Sequence, residues 1–172
     1  IAHALLFYGA LLEIFGHASC ALSFVGVPVC SGWFGFYVME LGRELGGIAM
    51  LLGILFFLLR RSMPPERLTV GKARRGFVAM EILLLLVIVA GFVAEAVRLA
   101  LPDALTAGEF LGRAAAHVVR PLGGELFGDS YLAMWWFHGL LGLTFIVLIA
   151  RTPMSHMLLG LLNSALARRR PG

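Results

Sequence analysis

Four of the five histidines in this chain of 172 residues fall within long apolar runs: His3 and His17 near the start, His138 and His156 near the end. An α-helix turns about 100° and rises about 1.5 Å per residue. The eighteen positions from His138 to His156 therefore return the second ring to the same helix face, about 27 Å further along. The fourteen positions from His3 to His17 leave those rings roughly 40° apart around a helix and ~21 Å apart along it. An imidazole can shuttle a proton, pack through a hydrogen bond, or ligate a metal. A single histidine in a membrane helix is often a packing residue, whereas two helices that each carry two call for a common explanation.

The elements that must position these rings are membrane helices. Apolar residues make up 60% of the chain, charged residues 14%, and the mean hydropathy is +0.91. A soluble domain is roughly half apolar and a quarter charged. About 20 helical residues cross the ~30 Å hydrocarbon layer, and four runs are long enough: about 1–25, 36–59, 76–101 and 131–150, the last helix continuing to about 165. Lipid leaves backbone groups no outside partners, so helices are expected rather than strands. The predicted fold is an all-α integral membrane bundle of four transmembrane helices, one domain over residues 1–172. Gly46, Gly47 and Gly53 of the second span are candidate close-packing positions. The first residue is Ile1 and the run is already apolar there, so a preceding segment is expected.

Lys and Arg set the orientation. Arg60, Arg61, Arg67, Lys72, Arg74 and Arg75 crowd the connection around Pro64-Pro65, and Arg168, Arg169 and Arg170 close the chain. Both regions are expected on the cytoplasmic side. The connections 26–35 and 102–130 carry Asp103, Glu109, Glu125 and Asp129 against Arg113 and Arg120, and are expected outside, with a short helix in the second. Trp33, Trp135 and Trp136 then fall near the outer interface. Topology accounts for the net charge of +4 without nucleic acid.

With alternating spans the first and fourth helices run antiparallel, which sets His17 level with His138 and His3 level with His156. Two facing pairs at two depths are what bis-histidine ligation of two haems requires, since each iron takes an axial nitrogen from either side of a flat macrocycle. No C-x-x-C-H motif occurs, so the haems are expected to be b-type. Zinc is the weaker alternative, because none of the four has a near neighbour at ligand spacing. His117 lies in the acidic outer stretch and reads as an ordinary loop residue.

The stretch His138-Gly-Leu-Leu-Gly142-Leu-Thr144-Phe, with a proline before a histidine eighteen residues on, resembles the gamma subunit of respiratory nitrate reductase and its relatives. Those relatives include the membrane cytochrome b subunits of heterodisulfide reductases, of sulfite-reduction-associated complexes and of electron-transfer-flavoprotein oxidoreductases. Gly16-His17, Gly46-Gly47 and the basic connection Leu58 to Arg67 extend the likeness, which covers most of the chain outside 102–130. The inner ligand of the nitrate reductase pattern would fall at Phe7, and its quinone-site lysine has no counterpart here. His3 instead fits the H-A-L-x-F-x-G opening of the heterodisulfide reductase branch, so the resemblance is to the broader family. It implies two b haems, a distal one on His17 and His138 and a proximal one on His3 and His156. It also implies a quinone, expected to be menaquinone, reacting near the outer haem, a cytoplasmic iron–sulfur subunit or fused domain as partner, and a prokaryotic cytoplasmic membrane with the C-terminus inside.

Charged residues inside the bilayer are costly and mark candidate sites. Glu13 lies one turn before His17, a candidate for moving a quinol's protons or supporting a ligand, or else a protonated packing group. Glu40, Arg43 and Glu44 open the second span at the level where Glu95 and Arg98 close the third. Glu40 and Glu44 are quinone-site candidates, and Arg43 and Arg98 could hold haem propionates; interfacial ion pairs are the plainer alternative. Cys20 and Cys30 fall on the outer side, either bridged or reduced. The function expected is a dihaem b electron-transfer subunit linking a quinone pool to a cytoplasmic iron–sulfur partner. A small transporter or assembly scaffold with proton-shuttling or structural histidines is the alternative from another class, and a transmembrane ferric or ascorbate cytochrome is a third.

Overall fold

The computed structural model describes residues 1–23, 25–63, 72–101, 108–122 and 124–152, with Ser155, Leu159, Gly160, Asn163 and Leu166 beyond. His156, the Pro64-Pro65 turn, Arg67, Asp103, Pro153 and the Arg168-Arg169-Arg170 tail lie outside the described residues. Every regular element among those described is helical: α1 (Ala2–Ser23), α2 (Gly32–Ser62), α3 (Lys72–Ala100), α4 (Phe110–Val119) and α5 (Gly124–Ile149). Four segments are long and apolar enough to cross a membrane: Ala2–Ser23, Gly32–Ser62, Gly76–Ala100 and Ser130–Ile149. The chain is thus a multi-pass helical protein by length and composition.

Glycine lets the first two helices close on each other. A Cβ on Gly9 would stand 2.7 Å from the Gly46 carbonyl oxygen, and one on Gly53 would stand 3.1 Å from that of Ala2. These contacts make α1 and α2 antiparallel, as small-residue faces allow where no hydrophobic effect drives helices together. Gly47, one position on, takes the Phe92 ring of α3. Leu6, Ile54, Leu84 and Ile88 from α1, α2 and α3 form the buried core, with Phe145 of α5 packed against it.

The order of packing is α1 on α2, α2 on α3, and α3 on α5, while packing between α1 and α5 is sparse by comparison. The row therefore does not close tightly on itself. Short helix α4 lies across one end. Its Gly112 and Ala116, four residues apart and so on one face, are buried, and Ala116 joins Leu99 and Ala100 of α3.

Three features depart from the sequence expectation. α2 starts at Gly32 rather than near 36, and Gly35–Gly42 is a π-helix. The wider turn brings position 42 against the Tyr37 carbonyl, 2.9 Å from where a Cβ would stand, and glycine tolerates that approach. α5 begins at Gly124, ahead of its apolar part. Nor does the last helix run unbroken to about 165: it ends at Ile149, and the N–H groups of Arg151 and Thr152 turn back to the carbonyls of Leu148 and Ile149 at 3.0 and 3.3 Å. The residue before a proline is disfavoured in helical conformation, and Pro153 follows Thr152.

Candidate functional site: a facing histidine pair and its polar surround

On α1, Glu13, Gly16 and His17 share one stripe at i, i+3 and i+4. The His17 Nδ1 lies 2.8 Å from the Glu13 carbonyl oxygen. A carbonyl only accepts, so Nδ1 carries the hydrogen and Nε2 keeps its lone pair. His138 of α5 is held the same way from a different helix, its Nδ1 donating to the Val87 carbonyl of α3 at 3.0 Å. That carbonyl points along the helix towards Gly91, four residues on, and the bare Gly91 makes room: a Cβ there would stand 3.0 Å from Cε1 of the ring. Such backbone anchoring of Nδ1 fixes the tautomer and orientation of ligating histidines.

The two rings meet. Their centroids are 6.3 Å apart with planes inclined by 31°. Imidazoles bonded to one metal at about 2.0–2.1 Å would have ring centres roughly 6 Å apart, a spacing close to that of this pair. The flanks are open: a Cβ on Gly139 or Gly142 of α5 would meet nothing within 4 Å. Among the described residues no three His, Cys, Asp or Glu side chains converge as a metal cluster.

Charged groups surround the pair on its α2 side. The Glu13 carboxylate lies 3.5 Å from His17 Nδ1 and 3.8 Å from Arg43 Nε. The Arg43 stem lies across Gly16, where a Cβ would collide with its Cγ and Cδ at 2.5 Å. Arg43 thus sits within one turn of a candidate ligand, where a bound anionic group would meet it. Arg98, expected in the same role, is instead paired with Glu109. Glu40 accepts the Gly108 N–H at 2.8 Å, and Glu44 accepts those of Leu111 and Gly112 at 2.5 and 3.2 Å. Both carboxylates, expected beside a quinone, hold the start of α4 in place. Anions at a helix N-terminus are stabilised there by its unpaired N–H groups and dipole.

His3 stands at the opposite end of α1, exposed, its ring edge-on to Phe57 with centroids 4.7 Å apart. Its expected partner His156 lies outside the described residues. His117 is exposed on α4, and Cys20 and Cys30 are free thiols. Sequence reasoning missed Glu109, Gly91 and, at the far end, Glu81. The buried Glu81 receives the Arg61 Nε at 2.7 Å on both oxygens, and the guanidinium carbon lies 4.8 Å from the centre of the Phe77 ring. A lone acid within the apolar run GFVAMEILLLL was the available signal for Glu81; nothing in the pattern singled out Gly91.

Fold and site together define a multi-pass helical membrane protein with a histidine pair facing across two helices. No family model, curated protein or solved structure matches the chain, so a functional reading rests on this geometry.

Proposed function

We propose that the chain is a membrane cytochrome b subunit of the kind the nitrate reductase gamma-subunit family exemplifies. It would carry two b haems, exchange electrons with a quinone at the α4 end, and pass them to an iron–sulfur partner at the Arg61 end. The observation that supports this best is the facing of His17 and His138 at 6.3 Å, each with Nδ1 anchored to a backbone carbonyl and Nε2 left to ligate. His3 with His156 would hold the second haem. A haem bound between two such rings supplies one-electron redox chemistry. The protein's own part is to fix the rings, their basicity and their surroundings.

Arg43 offers a fixed cation beside His17 for a propionate, a stronger role for a guanidinium than a solvated surface pair. Arg98 is a weaker candidate, since Glu109 already takes it. Glu13, between His17 and Arg43, is placed to receive a proton from a quinol bound near the pair. The excess of Lys and Arg around residues 60–75 supports a cytoplasmic side for that end, and for the C-terminus with it; the family resemblance would make the membrane that of a prokaryotic cell. The test is a dithionite-reduced minus oxidised spectrum of the purified protein with haem quantified as the pyridine haemochrome. Two b haems per chain are expected; haem-replete expression that yields a colourless protein would turn the reading over to the transporter or scaffold alternative.

A further inference from the structure

Beneath α4, helices α1 to α3 bring several carboxyl groups close together. Glu13, Glu44, Glu95 and Glu109 come one each from α1, α2, α3 and the start of α4, with Arg43 and Arg98 among the described cations near them. Were all four ionised, Glu95 would face the like charges of Glu44 and Glu109 inside an apolar bundle. Burial and like charge both oppose that state, and such sites bind protons instead.

The contacts say where a proton belongs. Glu109 is paired with Arg98, and Glu13 faces Arg43. Glu44 is 2% exposed; its Oε1 takes two N–H groups of α4, while its Oε2 is buried with no hydrogen-bond partner. An acceptor oxygen buried without a donor is costly. Glu95, among the described residues, has neither a hydrogen bond nor an ion pair. The Glu95 carboxyl presses on Gly112, 2.9 Å from where a Cβ would stand, and the Gly112 N–H is one of the two that Glu44 accepts. Both carboxyls thus lie against Gly112, a residue with no side chain to part them. A protonated Glu95 would be a donor for the unmatched Glu44 Oε2.

We propose that Glu44 and Glu95 share a proton beneath Gly112, and that this site takes up protons from the quinol oxidised at the neighbouring His17–His138 centre. The second half rests on the functional reading above. A quinol that becomes quinone gives up two electrons and two protons. Its electrons would leave one at a time, so the carboxyl pair, which holds one shared proton at rest, takes a second on its remaining carboxylate with each electron and releases it outward before the next, twice per quinol. Glu13 lies beside His17 and near Glu44, and Glu109 with Arg98 lies near Glu95.

The test has two readouts on the intact protein in lipid nanodiscs. Infrared difference spectra near neutral pH, in light and heavy water, are expected to show a deuterium-sensitive protonated-carboxyl band that loses intensity in both Glu95→Gln and Glu44→Gln. Full intensity in both variants would overturn the shared proton. Stopped-flow reduction by menadiol is expected to slow at least tenfold in Glu95→Gln and to recover in part in Glu95→Asp, with dithionite-reducible haem unchanged. A haem-bearing Glu95→Gln protein reduced at the wild-type rate overturns the proton-uptake role alone. A wild-type protein without haem overturns that role together with the functional reading, and the infrared result still judges the shared proton.

Discussion

The two ends of the bundle handle buried charge in opposite ways. At the end where α2 meets the start of α3, Arg61 gives Nε to both oxygens of the buried Glu81 and rests on Phe77. At the α4 end, Glu13, Arg43, Glu44 and Glu95 converge with matching incomplete, and Glu44 Oε2 and Arg43 Nε are buried without hydrogen bonds. A well-bonded pair of the first kind fastens helices. An unbalanced cluster beside two imidazoles with free nitrogens has capacity left over for a proton, an anion or a redox group. Charged residues inside a membrane are thus not equally informative; the ones whose partners are incomplete point to function.

The largest effect that would break this comparison is at the histidines. On the proposed reading, His138→Ala would remove one of the two histidines that hold the distal haem, and it is expected to leave one haem per chain by pyridine haemochrome and no reduction by quinol. Retention of two haems would reduce the pair to a packing contact. Next comes the closed end. Arg61→Ala strands a buried carboxylate, and breaking such a pair costs about 3–5 kcal/mol. The thermal midpoint in detergent should fall by roughly 10 °C, with the spectrum of the distal centre unchanged. An altered distal spectrum would mean that the two ends are coupled after all. Gly91→Ala should have a smaller effect. Its methyl group would stand 3.0 Å from the His138 ring, and overpacking of this kind costs about 1–3 kcal/mol. It should shift the distal spectrum while Gly139→Ala, in open space, leaves it alone.

The spans were legible because twenty-residue apolar runs admit little besides a helix in lipid, and the level pairing of His17 with His138 followed from antiparallel alternation. The helix breaks were harder. α5 ends at Ile149, four residues before Pro153, whereas apolar composition alone carries the run past that point. The π-helix at Gly35–Gly42 needs one extra residue in a turn, and hydrophobic periodicity over eight residues does not register that. Glu40 and Glu44 were singled out correctly as unusual, but their grip on Gly108, Leu111 and Gly112 is a contact across more than sixty positions of chain. No local spacing encodes it. His3 shows the opposite limit: its pairing with His156 is a sequence inference throughout.

The smallest predicted effect sharpens the contrast most finely, because it separates charge from hydrogen bonding within the α4 end itself. Glu40 and Glu44 both accept backbone N–H groups of the same short segment. If Glu40 serves only to hold that segment, Glu40→Gln keeps an acceptor oxygen for Gly108 and should be neutral within about 0.5 kcal/mol, whereas Glu40→Ala leaves the N–H unmatched and costs about 1 kcal/mol. Hydrogen exchange at Gly108 to Gly112 reads this directly: faster in the alanine variant, unchanged in the glutamine one. Equal acceleration in both would show that the Glu40 charge matters. Glu40 would then belong with Glu44 and Glu95 to the unbalanced cluster, which would reach from the histidine pair to the outer edge of α2.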